Sequence, residues 1–178
     1  MAQLRGTFTF EDVKIRYKNF SGKGSDFNPE GRRNFCMDLD PEIAEQMRQD
    51  GWNVKSKTFQ MEDGTEETIW YIKIMLSYKF EDSAPQIFRI SGDNMVQLTE
   101  KSVSSLDWEE IEHIDLQITP YTWHRQNGMS GVTAYLKSMY VTVHEDALAK
   151  KYANFGANSG SGVVVTDSPM DDDDTPFA

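Results

Sequence analysis

Apolar residues in this chain recur at every second position, and that period constrains the fold more than any other feature. Phe8 and Phe10 alternate with Thr7 and Thr9. Val13, Ile15 and Tyr17 alternate with Lys14, Arg16 and Lys18, and Phe35, Met37 and Leu39 alternate with Asn34, Cys36 and Asp38. Trp70, Ile72, Ile74 and Leu76 make a further face, as do Ile114, Leu116 and Ile118. Successive side chains of a strand point to opposite faces, so each run buries one face and wets the other. Turn signals separate the runs. Glu62-Asp63-Gly64-Thr65 falls between strands at 58–61 and 68–76, and Ser91-Gly92-Asp93-Asn94 reads as another turn. Gln126 to Gly131 joins two long strands over about 113–125 and 131–143.

Helix signals are few. Asp40 is placed as an N-cap with Pro41 at the first helical position; Ile43, Ala44 and Met47 give an apolar face, and Gly51 ends the helix. Ser105 starts a second short turn, with Trp108 to Ile111 expected inward, and a third helix is expected over 144–155. From Gly156 the composition turns to Gly and Ser and then to acids. The expected organisation is therefore a folded domain at 1–155 and a flexible linker with an acidic tail at 156–178, Val163 to Val165 included. The expected class is all-β with short helices: an OB-fold-like small antiparallel barrel with a long C-terminal hairpin and a disordered tail. Periodicity alone leaves a jelly roll open.

A length of 178 residues suits one domain with an appendage. The single cysteine, Cys36, excludes an intramolecular disulfide and a multi-cysteine zinc site, and fits a reducing cytoplasm. No secretory h-region follows Met1, and no apolar run is long enough to span a membrane. The 18 basic and 29 acidic residues leave a net charge of −11, which argues against a uniformly basic packing or membrane-surface protein. That charge is segregated. Residues 166–178 hold five acids and no Lys or Arg, whereas residues 1–33 hold seven basic groups against four acids. From Leu116 to His144 there is no Asp or Glu at all.

Two constellations fit a polyanion. Lys14, Arg16 and Lys18 would share one strand face at intervals of about 6.6 Å, close to the spacing of phosphates on an extended single strand. Val13, Ile15 and Tyr17 would then be core. Phe20 and the long loop to Arg33, carrying Lys23, Arg32 and Arg33, extend that basic surface. The second constellation is the C-terminal hairpin, where Tyr121, Trp123, Arg125, Tyr135, Lys137 and Tyr140 crowd into the acid-free stretch. Exposed rings there would stack on bases and cations would neutralise phosphates; buried, the same rings would be core. Gly22-Lys23-Gly24-Ser25 lacks the spacing of a phosphate-binding P-loop. Asp38, Asp40 and Glu42 are close enough in sequence to suggest a metal nuclease, but a cap and a solvent-facing acid account for them better. His113, His124 and His144 have no ligand spacing, and no hydrolase triad is visible. No catalytic residue, metal or cofactor is therefore assigned.

The chain ends Asp171-Asp172-Asp173-Asp174-Thr175-Pro176-Phe177-Ala178, an acid run closed by a rigid Pro and one aromatic anchor. This end resembles the acidic tip of bacterial and phage single-stranded DNA-binding proteins, through Asp172, Asp173, Asp174, Pro176 and Phe177. The body lacks the bacterial pattern and looks more like the phage type, including T7-like proteins; Gly131 to Lys137 is similar to their last barrel strand. One departure is Ala178, which follows the Phe that carries the terminal carboxylate in bacterial tips. The resemblance implies an OB-fold, sequence-independent binding of single-stranded DNA and no catalysis. It implies a place in replication, recombination and repair in the host cytoplasm. It also implies tail contacts, through Asp171 to Asp174, Pro176 and Phe177, to a polymerase, helicase-primase, nuclease or recombinase. Homodimerisation stays open. The alternative from another class is an acidic adaptor or DNA mimic that binds protein and not DNA.

Overall fold

The computed structural model describes residues 5–26 and 28–145. The chain divides after Val143, and the fold is that of the part before it. In chain order the elements are β1 (Phe8–Phe10), β2 (Ile15–Asn19), β3 (Arg33–Leu39), α1 (Pro41–Gln49), β4 (Val54–Gln60), β5 (Glu66–Leu76), β6 (Gln86–Ser91), β7 (Asn94–Leu98), β8 (Ile111–His124) and β9 (Ser130–Val143). Short 3₁₀ turns lie at Glu81–Ser83 and Val103–Asp107. None of the helices among the described residues is long and apolar enough to cross a membrane. The boundary expected at 155, the helix expected over 144–155 and the tail lie outside the described residues.

Among the described residues one sheet is hydrogen-bonded in the order β1-β8-β9-β5-β3-β2, with β4 on β5 and the β6–β7 hairpin attached to β9 through β6. The pairs β5–β9 and β6–β9 are parallel and the others antiparallel. The expected β-rich architecture is present, but the sheet is not closed into a barrel, because the two ends of the path, β1 and β2, do not pair. Val13 and Lys14 straddle the gap instead. The Val13 amide donates to the Ile114 carbonyl at 3.0 Å, and the Asp38 amide donates to the Lys14 carbonyl at 2.9 Å.

The period-two faces meet inside this sheet. Phe35, Met37, Ile72, Ile74, Ile114, Leu116, Ile118, Met139 and Val141 are all buried in one core. Burial of branched and aromatic side chains from both ends of the chain supplies the main folding force, at about 25 cal/mol per Å² of apolar surface. The turns form where Gly and Asp place them. Gly92 has φ +58°, which suits the first central position of a tight hairpin turn between Ser91 and Asn94. Helix α1 starts at Pro41 and stops before Gly51, whose φ of +96° is open to glycine. Asp40 holds the N-cap position without a side-chain cap bond; Ala44 and Met47 are buried, but Ile43 is exposed.

Three expectations about inward and outward side chains are corrected. Tyr17 is not core. Its φ is +54°, the β2–β3 register shifts between Arg16 and Asn19, and the ring turns outward with 55% exposure. A bulge of this kind breaks strict alternation, so the residues on its two sides no longer share a face. Phe20, expected on the binding surface, is fully buried and stacks on Phe35 with centroids 5.3 Å apart. Trp108, expected inward, is 87% exposed. The Phe20→Ala variant is therefore expected to lose about 3–5 kcal/mol in urea denaturation. A loss below about 1 kcal/mol would show that this ring is not a packed core group.

Candidate nucleic-acid interface

Strands β8 and β9 have one face in the core, so their other face is available to a ligand. Both strands are 14 residues long, and they are paired from Ile111–Val143 to His124–Ser130. The register shifts near the start of β8, between Ile111 and His113, and again between Gln117 and Ile118: there Gln117 faces Ser138, Ile118 faces Leu136, and Lys137 is the extra residue. This second bulge resets the alternation. Val132, Ala134 and Leu136 point inward before it, and Met139, Val141 and Val143 after it. Tyr135, Lys137 and Tyr140 consequently all face outward, although five positions separate the two tyrosines and strict alternation would oppose them.

These side chains line a groove of about 840 Å³. Its floor carries Tyr121, Tyr135, Lys137 and Tyr140, and its wall is the 77–86 segment with Lys79 and Phe80. Tyr121 is 58% exposed and Phe80 62%, so both rings have free area. Tyr121 meets Tyr135 edge to face with centroids 6.0 Å apart, and Tyr140 stacks on Phe88 at 4.9 Å. The cations are positioned rather than free-floating. Lys137 donates from Nζ to Thr7 Oγ1 at 3.1 Å, and Lys79 Nζ lies 5.4 Å from the Phe80 centroid. A smaller pocket shares Ser77, Lys79 and Tyr135 with the groove and adds Arg32 and Arg33. Four cations (Arg32, Arg33, Lys79, Lys137) thus stand against two carboxylates, Asp82 and Glu100, along the pair of cavities.

A second basic and aromatic surface adjoins it. Met75 of β5 faces Tyr135 of β9, and both point away from the core. Farther along β5, Lys73 faces Cys36 of β3, which in turn faces Arg16 of β2; Tyr71 faces Lys55 of β4 and Asp38 of β3. Lys57 lies on the same face of β4 as Lys55, with its Nζ 5.2 Å from the Phe59 centroid. Tyr17, turned out by its bulge, meets Tyr71 edge to face at 6.2 Å. Cys36 lies under this surface; burial pushes its thiol pKa up, only partly offset by Lys73 and Lys55, so it is a protonated packing group at neutral pH.

The first constellation read from the sequence is dispersed. Lys14 is exposed beside a shallow pocket with Asp12 and His113 and does not line the groove. Arg16 Nε donates to both Asp38 carboxylate oxygens, at 2.8 and 3.0 Å, and this hydrogen bonding raises its pKa. Lys18 Nζ donates to the Leu106 and Glu109 carbonyls at 2.9 and 3.0 Å. Arg33 donates to the Phe20 carbonyl and pairs with Glu100 at 3.1 Å, while Arg32 and Lys23 remain exposed. Of the second constellation, Tyr121, Tyr135 and Lys137 are brought together in the groove. Trp123 and Arg125 form a cation–π pair at 5.1 Å nearer the hairpin tip, outside the groove lining. Asp171 to Asp174, Pro176 and Phe177 lie outside the described residues. No group of three metal-ligating side chains occurs among the described residues, and Asp38 is occupied by Arg16.

Lys55, Lys57, Tyr71, Lys73, Lys79 and Phe80 were not singled out from the sequence. Lys55 and Lys57 have the same period-two spacing as Lys14 and Arg16, and Lys79-Phe80 is a cation beside an aromatic in a loop. Those signals were available; the parity of Tyr140 depended on the bulge.

A sheet face with exposed rings in a cation-bearing groove, with no group of metal ligands among the described residues, suits single-stranded nucleic acid. The chain belongs to the family described as "Putative phage ssDNA-binding domain", which it matches over residues 2–177, and is thus a phage-type single-stranded DNA-binding protein. No curated protein matches the chain. Its fold is similar to the single-stranded DNA-binding protein from bacteriophage Enc34, with 13% identity over 79% of this chain and 83% of that one, at a TM-score of 0.47. A C-terminal truncation of the Enc34 protein gives 11% identity, 79% and 88% coverage and a TM-score of 0.45. The bacteriophage T7 single-stranded DNA-binding protein gp2.5 gives 11% identity, 95% and 100% coverage and 0.38.

Gly131 supports the hairpin end of the surface. A Cβ there would sit 2.6 Å from Trp123 Cζ2, so only glycine lets the indole lie across β9. Gly131→Ala is expected to shift the tryptophan emission and to destabilise the fold by about 1–3 kcal/mol, as forced repacking does. An unchanged melting curve and emission spectrum would mean that Trp123 does not rest on Gly131.

Proposed function

We propose that this chain coats single-stranded DNA without regard to base sequence during phage DNA replication and recombination, and does so without catalysis. The observation that carries the reading is the groove in which Tyr121, Phe80 and Tyr140 expose ring area beside Lys79 and Lys137. A base offers a π-face whatever its identity, so ring stacking is tolerant of sequence and contributes about 1–3 kcal/mol per base. Phosphates are neutralised by Lys79, Lys137 and Arg32, with Lys55, Lys57 and Lys73 extending the track across β4 and β5. Lys23, Trp123 and Arg125 flank it.

The acidic end supplies regulation in this reading. Asp171 to Asp174 compete with DNA phosphates for the cations, and DNA occupying the groove frees the tail. Phe177 then anchors a replication or recombination protein in the host cytoplasm. The DNA-mimic alternative would place carboxylates along the groove, where Asp82 and Glu100 are outnumbered by cations.

Oligo-dT affinity is expected to fall log-linearly with salt, with a slope of about −0.7 per phosphate contact. Replacing Lys55, Lys57 and Lys73 together by Ala should flatten the slope by about 2 and leave the melting temperature unchanged. The same change at Lys14, Arg16 and Lys18 should instead lower stability, because Arg16 and Lys18 hold internal partners. Tyr121→Ala should weaken binding by about 1–3 kcal/mol. A slope insensitive to the β4–β5 lysines would remove that face from the interface.

Deleting residues 167–178 is expected to tighten oligo-dT binding, most at low salt, where the competing carboxylates are least screened. Phe177→Ala should leave DNA affinity unaltered and abolish capture of the phage polymerase or helicase. Truncation that weakens DNA binding would end the competitive role, and capture by the Phe177 variant would end the anchor role.

A further inference from the structure

The β6–β7 hairpin and the turn beneath it have a character opposite to that of the groove. Residues 93–112 hold six acids (Asp93, Glu100, Asp107, Glu109, Glu110 and Glu112) against one lysine, Lys101; with Lys18, Arg33 and Arg89, which bind among them, the region remains net negative at −2. Within this acidic stretch Trp108 is 87% exposed, and on β7 Met95 and Val96 are 58% and 55% exposed. A mobile surface loop would account for a stray tryptophan, but this turn is braced. The Asp107 carboxylate accepts from the Phe20 and Ser21 amides at 2.7 and 3.0 Å. Lys18 Nζ donates to the Leu106 and Glu109 carbonyls, and the Glu109 carboxylate pairs with Arg89 at 2.7 Å. Arg89 faces Val96 across the hairpin, so the Arg89–Glu109 pair ties the backbone beside Trp108 to the Val96 face of β7. A rigid, exposed tryptophan is the commonest kind of interface anchor, because little conformational freedom is lost when it is covered.

Strand β7 pairs only with β6 among the described residues, so its outer edge has amide and carbonyl groups without a ladder partner. Such an edge accepts an added strand. Charge selects the occupant. A second copy would bring the same net negative charge, −2 once Lys18, Arg33 and Arg89 are counted with Lys101, and a DNA strand would bring phosphates against the same carboxylates; both are disfavoured. We infer that the β7 edge and Trp108 form a docking site for an extended, basic segment of another protein, which adds a strand to β7 and lays apolar side chains on Val96 and Trp108. This site shares no lining residue with the DNA groove, so it recruits a partner while DNA is bound.

The test uses the full chain and a fluorescently labelled peptide of alternating Lys and Val, about twelve residues long. Two control peptides replace Lys by Glu, or interrupt the strand with Pro at alternate positions while keeping the charge. Polarisation should report binding of the Lys–Val peptide alone, whether or not oligo-dT is present. Trp108→Ala removes an exposed side chain and leaves the fold intact; it should weaken the peptide at least about tenfold, the effect of a modest hot spot, with oligo-dT affinity unchanged. No binding of the Lys–Val peptide overturns the proposal. So does equal binding of the Pro-interrupted peptide or binding that survives Trp108→Ala, since either is general charge attraction. Loss of oligo-dT affinity in the Trp108 variant would make the ring a base platform, and a dimer in sedimentation that Trp108→Ala dissolves would make the occupant a second copy; each also overturns it.

Discussion

The β8–β9 ladder is the constraint on which the rest of the molecule depends. Its inner face supplies Ile114, Leu116, Ile118, Leu136, Met139 and Val141 to the core, and its outer face supplies the groove. Strands β1, β5 and β6 are all paired to it. A strand serving both surfaces must keep perfect alternation or break it at a defined place. This one breaks at Lys137, and the single extra residue lets the second half of β9 remain core-facing while Tyr140 turns outward beside Phe88. The core and the groove are thus set by the same register, and a one-residue slip would exchange them.

The basic residues of the body divide into two populations with different work. Arg16, Lys18, Arg33 and Arg89 are spent on internal partners: a carboxylate, two carbonyls, a carbonyl with a carboxylate, and a carboxylate. They fasten β2, the β2–β3 loop and the turn before β8. Lys55, Lys57, Lys73, Lys79, Lys137 and Arg32 face outward on the surface that holds Tyr71, Phe80, Tyr121, Tyr135 and Tyr140. Long, strongly hydrated lysines dominate the second set, while arginines, which suit fixed forked contacts, dominate the first. That division of labour follows from side-chain chemistry rather than from position in the sequence.

Much of the fold was legible in period two. The hairpin turns at 62–65, 91–94 and 126–131, the helix after Asp40 and the long final strands lie where the sequence put them, because Gly, Asp and Pro act locally. What was hidden required a partner strand. Tyr17 looks inward by alternation and faces outward because of a bulge that no local residue announces. Phe20 follows a basic run and looks like a stacking residue, yet it is needed to cover Phe35. The acid-free stretch pointed correctly to Tyr121, Tyr135 and Lys137 as one cluster, since both strands of a hairpin are close in sequence. The β4–β5 lysines join that cluster only through the parallel β5–β9 pairing, a contact across about sixty residues that composition cannot reveal.

A chain of net charge −11 that holds a polyanion is consistent once distance is considered. At physiological salt the Debye length is about 8 Å, so a phosphate in the groove senses the cations lining it far more than the total charge. Acids can therefore accumulate elsewhere without defeating binding, provided they stay off the groove floor. The sequence obeys that condition by keeping Leu116 to His144 free of Asp and Glu, while 93–112 and the extreme C-terminus concentrate them. Net negative charge then serves a separate end. Like charge on the outer surfaces of two molecules opposes their adhesion to one another. Segregating charge along the chain thus lets one small sheet carry a cation-lined groove and a net-negative surface apart from each other, the two surfaces on which the proposed DNA and protein contacts rest.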